Sequence, residues 1–274
     1  MDIRTILVNL DVDFYSPHIL ESAAGLATLL GAKIIGLGAL EPSDAVASFA
    51  GVVDRAHSYA EARLKIETSI EGLANEFQQR IPAKLQLAWH GVIRSPNDAL
   101  LALSSEADLV LTTTPRVKDV SRHRTLDAGE LLMSLGRPLL AIGTETTEVS
   151  LGRIVIGWKD TREARRAVAD ALPLLNLAEE LIILTVNEGE DSIEPVSPHP
   201  LDGWLLQHGM KARHEVIPTD GDSAGVALQR FARTVDADLI VAGAYGHSRT
   251  REWLFGGMTR ELLDAETANR LLSN

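Results

Sequence analysis

Short runs of consecutive apolar residues alternate along this chain with longer segments whose apolar residues recur every three or four positions. Residues 6–8 and 239–242 are examples of the uninterrupted runs, which are typical of parallel strands covered on both faces. The longer segments have the periodicity of amphipathic helices. The alternation therefore predicts an α/β fold with parallel sheets.

In the first half, the clearest helix lies between a start signal and a stop signal. Ser16 offers a capping side chain and Pro17 suits the first helical position, while Gly31 ends the segment. The buried stripe of this helix is predicted to be Ile19, Leu20, Ala23, Leu26 and Leu30. Further helices are predicted at 43–81, with a break near Gly51, and from about residues 97 and 128, with strands at 6–11, 32–40, 85–93, 107–113 and 138–142.

The second half follows the same plan, with a polar linker at 188–200. Helices are predicted from Arg162, after Thr161, and at 201–208, 223–235 and 258–263, and strands at 153–158, 181–186, 212–217 and 238–243.

Two pairs of matching segments indicate an internal repeat. Residues 6–11 resemble 154–159, and residues 107–111 resemble 237–241, in the same order. A tandem duplication with its junction near residues 144–151 explains this and predicts two domains, 1–146 and 151–274. In open α/β sheets, ligands bind at the carboxyl ends of the strands, where the strand order reverses.

Composition and charge remove several classes of function. The chain has 274 residues, 45% of them hydrophobic, a net charge of −12 and no cysteine. Such a charge argues against general binding to nucleic acid or to anionic membranes, and the lack of cysteine excludes disulfides and thiolate chemistry. No apolar run approaches the ~18 residues of a membrane helix, and the first residues do not have the pattern of a signal peptide. We expect a cytoplasmic protein with no nucleic-acid or membrane partner.

A glycine-bearing loop follows the apolar run at 239–242 and precedes the helix predicted at 258–263. Its glycines include Gly243, Gly246 and Gly256. Glycine lets the backbone approach an anion, and the N–H groups at the start of a helix favour negative charge. A phosphate site is one interpretation, and a plain turn followed by a helix cap is the other.

The spacing of these glycines resembles the universal stress protein family, in which a glycine, two residues, a glycine, nine residues and a further glycine follow the fourth strand. Asp11, residues 136–140 and residues 163–168 also match tandem members. The resemblance implies two tandem open-sheet, Rossmann-like units of the adenine nucleotide alpha hydrolase type, each with about five mainly parallel strands.

The resemblance further implies that the second domain binds ATP or another adenine nucleotide, with Mg²⁺ only if ATP is bound. The nucleotide-binding candidates are Lys159, Val186, Gly243, Gly246, His247, Arg249, Gly256, Gly257, Met258 and Thr259. Two of them depart from the ATP-binding relatives. Gly257 stands where those relatives carry serine or threonine, and Lys159 stands where they carry an aspartate near the nucleoside. Lys159 either pairs with a phosphate or extends into solvent, and Thr259 matches a second hydroxyl position.

Local charge distinguishes the two copies. In the second copy, Arg249, Arg251 and Arg260 outnumber Glu252, which favours an anion, although a solvated basic face explains the pattern as well.

The first copy keeps Asp11 but replaces the glycine loop with residues 112–115, which end in a proline that has no N–H. The basic residues that follow are Arg116, Lys118, Arg122, His123 and Arg124. They form either an anion site or a flexible surface loop.

The sequence contains no nucleophile elbow and no Walker loop, and no histidine pair has the spacing of a helical zinc site. His208 and His214 form a conceivable metal pair, and His247 is either a proton donor or a surface side chain. We therefore expect no fast enzyme, with slow ATP hydrolysis as the upper limit.

Two functions follow from these observations. The first is a nucleotide-binding module of the stress response, with a degenerate first copy. The second is a nucleotide-independent interaction scaffold. The resemblance implies that the two copies pair with each other through their fifth strands, residues 137–142 in the first copy, and a homodimer of whole chains is a further option. Relatives usually carry a proline- and valine-rich strand where this chain has residues 270–274, so we expect a short or frayed edge there.

Overall fold

The computed structural model describes residues 2–42, 52–113, 124–143, 148–188, 199–244, 257–263 and 268–274, with side chains of the second range from residue 57 onward. These residues form two compact units. One comprises Ile3–Arg137, and the other comprises Pro138–Asn274 with Met1–Asp2. The domain boundaries inferred from the sequence repeat, 1–146 and 151–274, stay a prediction.

The first unit alternates strands and helices, as the apolar pattern predicts. Its elements are β1 (Thr5–Asp11), α1 (His18–Leu30), β2 (Lys33–Ala39), α2 (Val52–Arg80), β3 (Gln86–Val92), α3 (Pro96–Leu103), a 3₁₀ turn (Ser104–Glu106), β4 (Leu109–Thr113) and α4 (Ala128–Ser134). The strands are parallel and lie in the order β3-β2-β1-β4. Strand β1 is apolar and fully buried from Ile6 to Val8 because helices cover the sheet.

Helix α1 confirms the predicted stop and four of the five residues of the predicted stripe, since Leu30 is only partly buried, but it does not confirm the predicted cap. Ile19, Leu20, Ala23 and Leu26 are buried, and Gly31 ends the helix with a φ of 67°, a conformation that glycine adopts at no steric cost. The helix begins at His18, with Pro17 at the N-cap position and no side-chain cap. Ser16 contributes its carbonyl oxygen, which accepts from the Ile19 N–H at 3.3 Å.

The second unit repeats the alternation. Its elements are β5 (Leu139–Ile142), β6 (Arg153–Gly157), α5 (Arg162–Leu175), β7 (Glu180–Asn187), α6 (Asp202–Gln207), β8 (Ala212–Pro218), α7 (Ala224–Thr234), β9 (Leu239–Gly243), α8 (Gly257–Leu263) and β10 (Asn269–Ser273). The strand order is β5-β10-β9-β6-β7-β8, and only the β5–β10 pair is antiparallel among the described pairs of this unit. Strand β6 has β7 on one side and β9 on the other, so the order reverses at β6.

The expectation of a short or frayed edge at residues 270–274 is wrong. Strand β10 is buried along its whole length and pairs with β9 on one side and β5 on the other. Two of its polar side chains are bound within the unit. The Asn269 side chain accepts from the Gly143 N–H at 3.1 Å and donates to the Asp238 carbonyl at 3.1 Å. Arg270 is fully buried and donates to the Ala268 carbonyl. Pairing on both edges therefore compensates for the weak apolar pattern.

One aspartate holds the same place in both units. The Asp108 carboxylate accepts from the Arg4 and Thr5 N–H groups at 2.9 and 3.0 Å, and the Asp238 carboxylate accepts from the Arg153 N–H at 2.8 Å. Asp108 thus anchors the start of β1 beside the start of β4, and Asp238 does the same for β6 and β9. These aspartates are the residues that follow the alanines of the matching sequence segments.

Among the described helices, none combines the length and the hydropathy that crossing a lipid bilayer requires.

Candidate functional site

A cavity of about 270 Å³ lies at the carboxyl ends of β6, β7 and β9. Helices α5, α7 and α8 contribute residues from their first turns to its wall. This is the edge at which the strand order reverses, and it is where open α/β sheets bind ligands. The cavity therefore lies at the place where the strand order predicts a ligand site.

Most of the cavity wall is apolar. Leu184 and Leu228 are fully buried and Trp158 is 8% exposed, and Val186 and Met258 complete this part of the wall. Helix α7 packs closely on β6 at Gly157, where an added Cβ atom would lie 2.8 Å from Leu228 Cδ2 and would displace the Leu228 side chain. An apolar wall of this kind suits a flat, weakly polar group such as a nucleobase.

Polar groups are placed at the mouth and at the start of α5. Lys159 Nζ lies 2.9 Å from Glu188 Oε2, and both side chains are more than half exposed, so this ion pair stands at the mouth. Thr161 Oγ1 accepts from the Ala164 N–H at 3.2 Å and caps α5. Glu163 is nearly buried, and its carboxylate lies 3.1 Å from the Arg162 guanidinium. Thr259, in α8, is 3% exposed.

Gly243 has a packing role that its sequence context does not reveal. A Cβ atom there would lie 2.5 Å from the Ala164 nitrogen and 2.5 Å from the Glu163 carbonyl carbon. Because both are backbone atoms of α5, no side chain fits without moving the helix. Gly257 differs, since among the described residues the nearest heavy atom to an added Cβ is Glu261 Oε1 at 4.0 Å. None of the described residues therefore obstructs a side chain at position 257.

The structure brings together six of the predicted nucleotide-binding residues. The cavity is lined by Lys159, Val186, Gly243, Gly257, Met258 and Thr259. Gly246, His247, Arg249 and Gly256 lie outside the described residues, as do Arg251 and Glu252. Arg260, which completes the predicted basic group, is exposed on α8.

The other lining residues were missing from the predicted set: Gly157, Trp158, Thr161, Glu163, Ala164, Leu184, Glu188, Ala224 and Leu228. The spacing of Ala224 and Leu228, four apart on one helix face, was the available signal. Nothing local marks Trp158 or the two carboxylates, because their positions depend on which strands become neighbours.

Next to the cavity, two histidines stack on each other. The rings of His199 and His214 lie 4.7 Å apart, and His214 Nε2 lies 2.8 Å from Asp202 Oδ1. His208, considered with His214 as a conceivable metal pair, packs on Trp204 with ring centroids 4.3 Å apart. Within the described ranges no three metal-ligating side chains converge.

At the corresponding edge of the first unit, the polar groups bind one another. The Asp11 carboxylate accepts from the Asp13 and Phe14 N–H groups at 2.9 Å each, and burial raises the pKa of the Asp11 carboxyl above 3.8. Arg124 forms a two-bond pair with Asp13 at 2.9 and 2.8 Å and reaches the Glu41 carbonyl at 3.5 Å. The other basic residues of that predicted segment, Arg116, Lys118, Arg122 and His123, lie outside the described residues.

Solved structures share this fold over the full chain. A universal stress protein from Archaeoglobus fulgidus DSM 4304 matches with a TM-score of 0.72 and 14% identity, over 100% of this chain and 97% of that one. A putative universal stress protein from Pseudomonas aeruginosa UCBPP-PA14 has a TM-score of 0.60 and 17% identity, over 99% and 93%. A protein of unknown function from Pseudomonas aeruginosa PAO1 also has a TM-score of 0.60, with 16% identity over 99% and 92%.

The sequence matches no protein-family model and no curated protein. The structural matches confirm the predicted fold class, two tandem open-sheet, Rossmann-like units, and the likeness in fold to universal stress proteins.

Proposed function

We propose that this chain is a tandem universal stress protein whose second unit binds ATP or a related adenine nucleotide. One observation carries the proposal: the cavity at the reversal point of the second sheet is lined by all six of the predicted residues that are described. The protein acts in the cytoplasm, in the response to stress or its regulation, through binding rather than rapid turnover.

The residues present suit the parts of a nucleotide. The apolar wall of Leu184, Val186 and Leu228 accepts the base, while Lys159 and the Thr259 hydroxyl are suited to phosphate oxygens. The volume of about 270 Å³ is near the lower limit of small-molecule sites, which span roughly 300–1,000 Å³. The size therefore favours a nucleoside in the cavity with its phosphates toward the mouth. Mg²⁺ would enter only with ATP, as a neutralising ion for its phosphates.

A cavity-filling variant tests the location of the site. Ala224→Phe places a ring into the cavity from the first turn of α7, whereas Val226→Phe, on the same helix, adds the same ring at a position that is 40% exposed. Native mass spectrometry and calorimetry with ATP are expected to show binding by the original chain and by Val226→Phe, and none by Ala224→Phe. The loop variant Gly246→Val is expected to behave like Ala224→Phe, since its side chain blocks backbone approach to an anion.

A gain of function tests the missing hydroxyl. Because no described residue obstructs a side chain at position 257, Gly257→Ser restores the hydroxyl that ATP-binding relatives carry there. One hydrogen bond to a charged group contributes ~1.5 kcal/mol or more, so the dissociation constant for ATP is expected to fall about tenfold. Absence of an ATP adduct at millimolar concentration in both the original chain and Gly257→Ser would overturn the nucleotide proposal.

The second candidate function is a nucleotide-independent scaffold, in which paired copies, or a homodimer of whole chains, present a surface to a partner. It is favoured by the pairing of Lys159 with Glu188 and by the absence of a hydroxyl at Gly257. Thermal unfolding separates the two candidates. A ligand at ~100 times its dissociation constant stabilises the native state by about 2.7 kcal/mol, and a scaffold shows no such shift.

A further inference from the structure

We propose that the stacked pair of His199 and His214 makes the cavity sensitive to pH. When the solution becomes acidic, the pair takes up a proton, α6 separates from β8, and Trp158 leaves its position in the cavity wall. Nucleotide binding is then weakened. This last step rests on the proposed function, whereas the earlier steps concern the protein without ligand.

The rings form a continuous path from β8 to the cavity. His214 lies in β8, and its ring stacks on His199 at 4.7 Å with an interplanar angle of 26°. His199, just before α6, meets the edge of Trp158 at 5.8 Å and 69°. Trp158 itself lines the cavity. A change in the histidine stack therefore acts directly on a residue of the wall.

The hydrogen bonds around His199 require an unprotonated ring nitrogen. Its Nδ1 accepts from the Leu201 N–H at 3.2 Å, and its own backbone N–H donates to Asp202 Oδ2 at 2.9 Å. A proton on Nδ1 would turn that nitrogen into a donor facing another donor. Protonation therefore breaks the bond that holds the start of α6 to the ring.

His214 imposes a similar requirement. Its Nε2 is 2.8 Å from Asp202 Oδ1, so Nε2 carries a hydrogen and donates it. Its Nδ1 is buried and makes no hydrogen bond within the described part of the chain. A proton added to Nδ1 would create a buried donor without an acceptor. In the closed stack, a second hydrogen would therefore break the bond from the Leu201 N–H to His199, or would place a donor on the buried Nδ1 of His214 where no described residue accepts it.

Two acidic side chains among the described residues oppose these effects. Asp202, at the start of α6, and Asp160, in the turn after β6, favour protonation of His199. Burial and the neighbouring His214 act in the other direction, and the net result lowers the pKa of His199 below 6.5. The opened pair regains the ordinary value of about 6.5. The free energy that favours the closed form over the opened form is therefore largest above pH 6.5, and it decreases as the pH falls below 6.5.

The first test uses the protein without nucleotide. Carbon-edited NMR follows the histidine rings, and 5-fluorotryptophan labelling follows Trp158, whose signal is assigned with Trp158→Phe. We expect His199 to titrate below pH 6.5 and the Trp158 signal to move with the same midpoint. His199→Gln and His214→Phe are expected to remove that movement, the second while keeping an aromatic ring in the stack. His208→Gln is the matched control, because His208 is exposed and packs on Trp204.

The second test compares the affinity for ATP at pH 7.5 and pH 5.5. Uptake of one proton by a group with a pKa of about 6.5 shifts the equilibrium at pH 5.5 up to about tenfold. We expect the dissociation constant to rise several-fold in the original chain and in His208→Gln, beyond the change in His199→Gln, which measures the titration of ATP itself.

The proposed pH sensitivity would be overturned by a Trp158 signal that does not respond to pH. It would also be overturned if the ratio of the dissociation constants at pH 5.5 and pH 7.5 were the same for the original chain and His199→Gln. If ATP binds at neither pH, the nucleotide proposal fails, while the ligand-free titration still decides between a responsive and an unresponsive stack.

Discussion

The carboxyl edges of the two units share a strand order but use their polar residues differently. In the first unit, Asp11 at the end of β1 accepts two backbone N–H groups, and Asp13 binds Arg124 through two bonds. In the second unit, β6 leads to Lys159, whose partner Glu188 stands at the mouth of a cavity. The strand order determines where a site can form, and the residues just after the strands determine whether they bind one another or line a cavity.

The fourth strands differ in the same way. By the sequence repeat, Thr113 at the end of β4 corresponds to Gly243 at the end of β9. Threonine is accommodated in the first unit, whereas the backbone of α5 leaves no room for a Cβ atom in the second. The glycine thus allows α5 to approach β9 closely beside the cavity.

Exchanging these two residues should produce the largest effect. Gly243→Thr forces side-chain atoms against the Ala164 and Glu163 backbone, and we expect it to lower the free energy of unfolding by about 3 kcal/mol or more. The reciprocal control, Thr113→Gly, should cost no more than about 1 kcal/mol. Urea unfolding measures both. Equal and small effects would show that α5 can move away from β9 at little cost.

Double-mutant cycles on the two ion pairs should give a smaller contrast. Arg124 and Asp13 are 26% and 25% exposed, so we expect a coupling of about 1 kcal/mol from Arg124→Gln with Asp13→Asn. Lys159 and Glu188 are 63% and 56% exposed, and Lys159→Gln with Glu188→Gln should give less than about 0.5 kcal/mol. A larger coupling at the second pair would contradict the distinction drawn between the two edges.

A small effect that depends on pH is expected from the charge of Asp11. Because burial raises the pKa of this carboxyl above 3.8, the folded state holds its proton more tightly than the unfolded state does. The resulting stabilisation is complete below pH 3.8 and is lost as the pH rises through the folded-state pKa. Asp11→Asn keeps the acceptor oxygen and removes the charge, so it should raise the unfolding free energy at pH 7 by less than about 1 kcal/mol. The gain should vanish near pH 3.5, and a gain independent of pH would point to another cause.

Local patterns predict much of this fold. Continuous apolar runs such as residues 239–242 mark strands because burial on both faces leaves no polar side, and the apolar stripe of α1 marks its buried face. The pattern at residues 269–273 does not mark β10, since its burial comes from β5 and β9, which lie elsewhere in the sequence.

The candidate site is less predictable for the same reason. Its motif residues could be chosen from the spacing of glycines, but the wall formed by Trp158 and Leu228 depends on packing between distant segments. The stacking of His214 on His199, rather than a pairing with His208, likewise depends on where the chain before α6 runs. Spacing along the sequence therefore finds motifs, whereas partners across the fold require coordinates.

The position of β10 between β5 and β9 has a consequence for synthesis on the ribosome. Strand β5 is synthesised early in this unit, and its antiparallel partner, β10, emerges only after nearly all of the remaining unit has been synthesised. Until then, one edge of β9 has free N–H and C=O groups that invite pairing with other chains. The nascent protein is therefore expected to need chaperone protection late in translation.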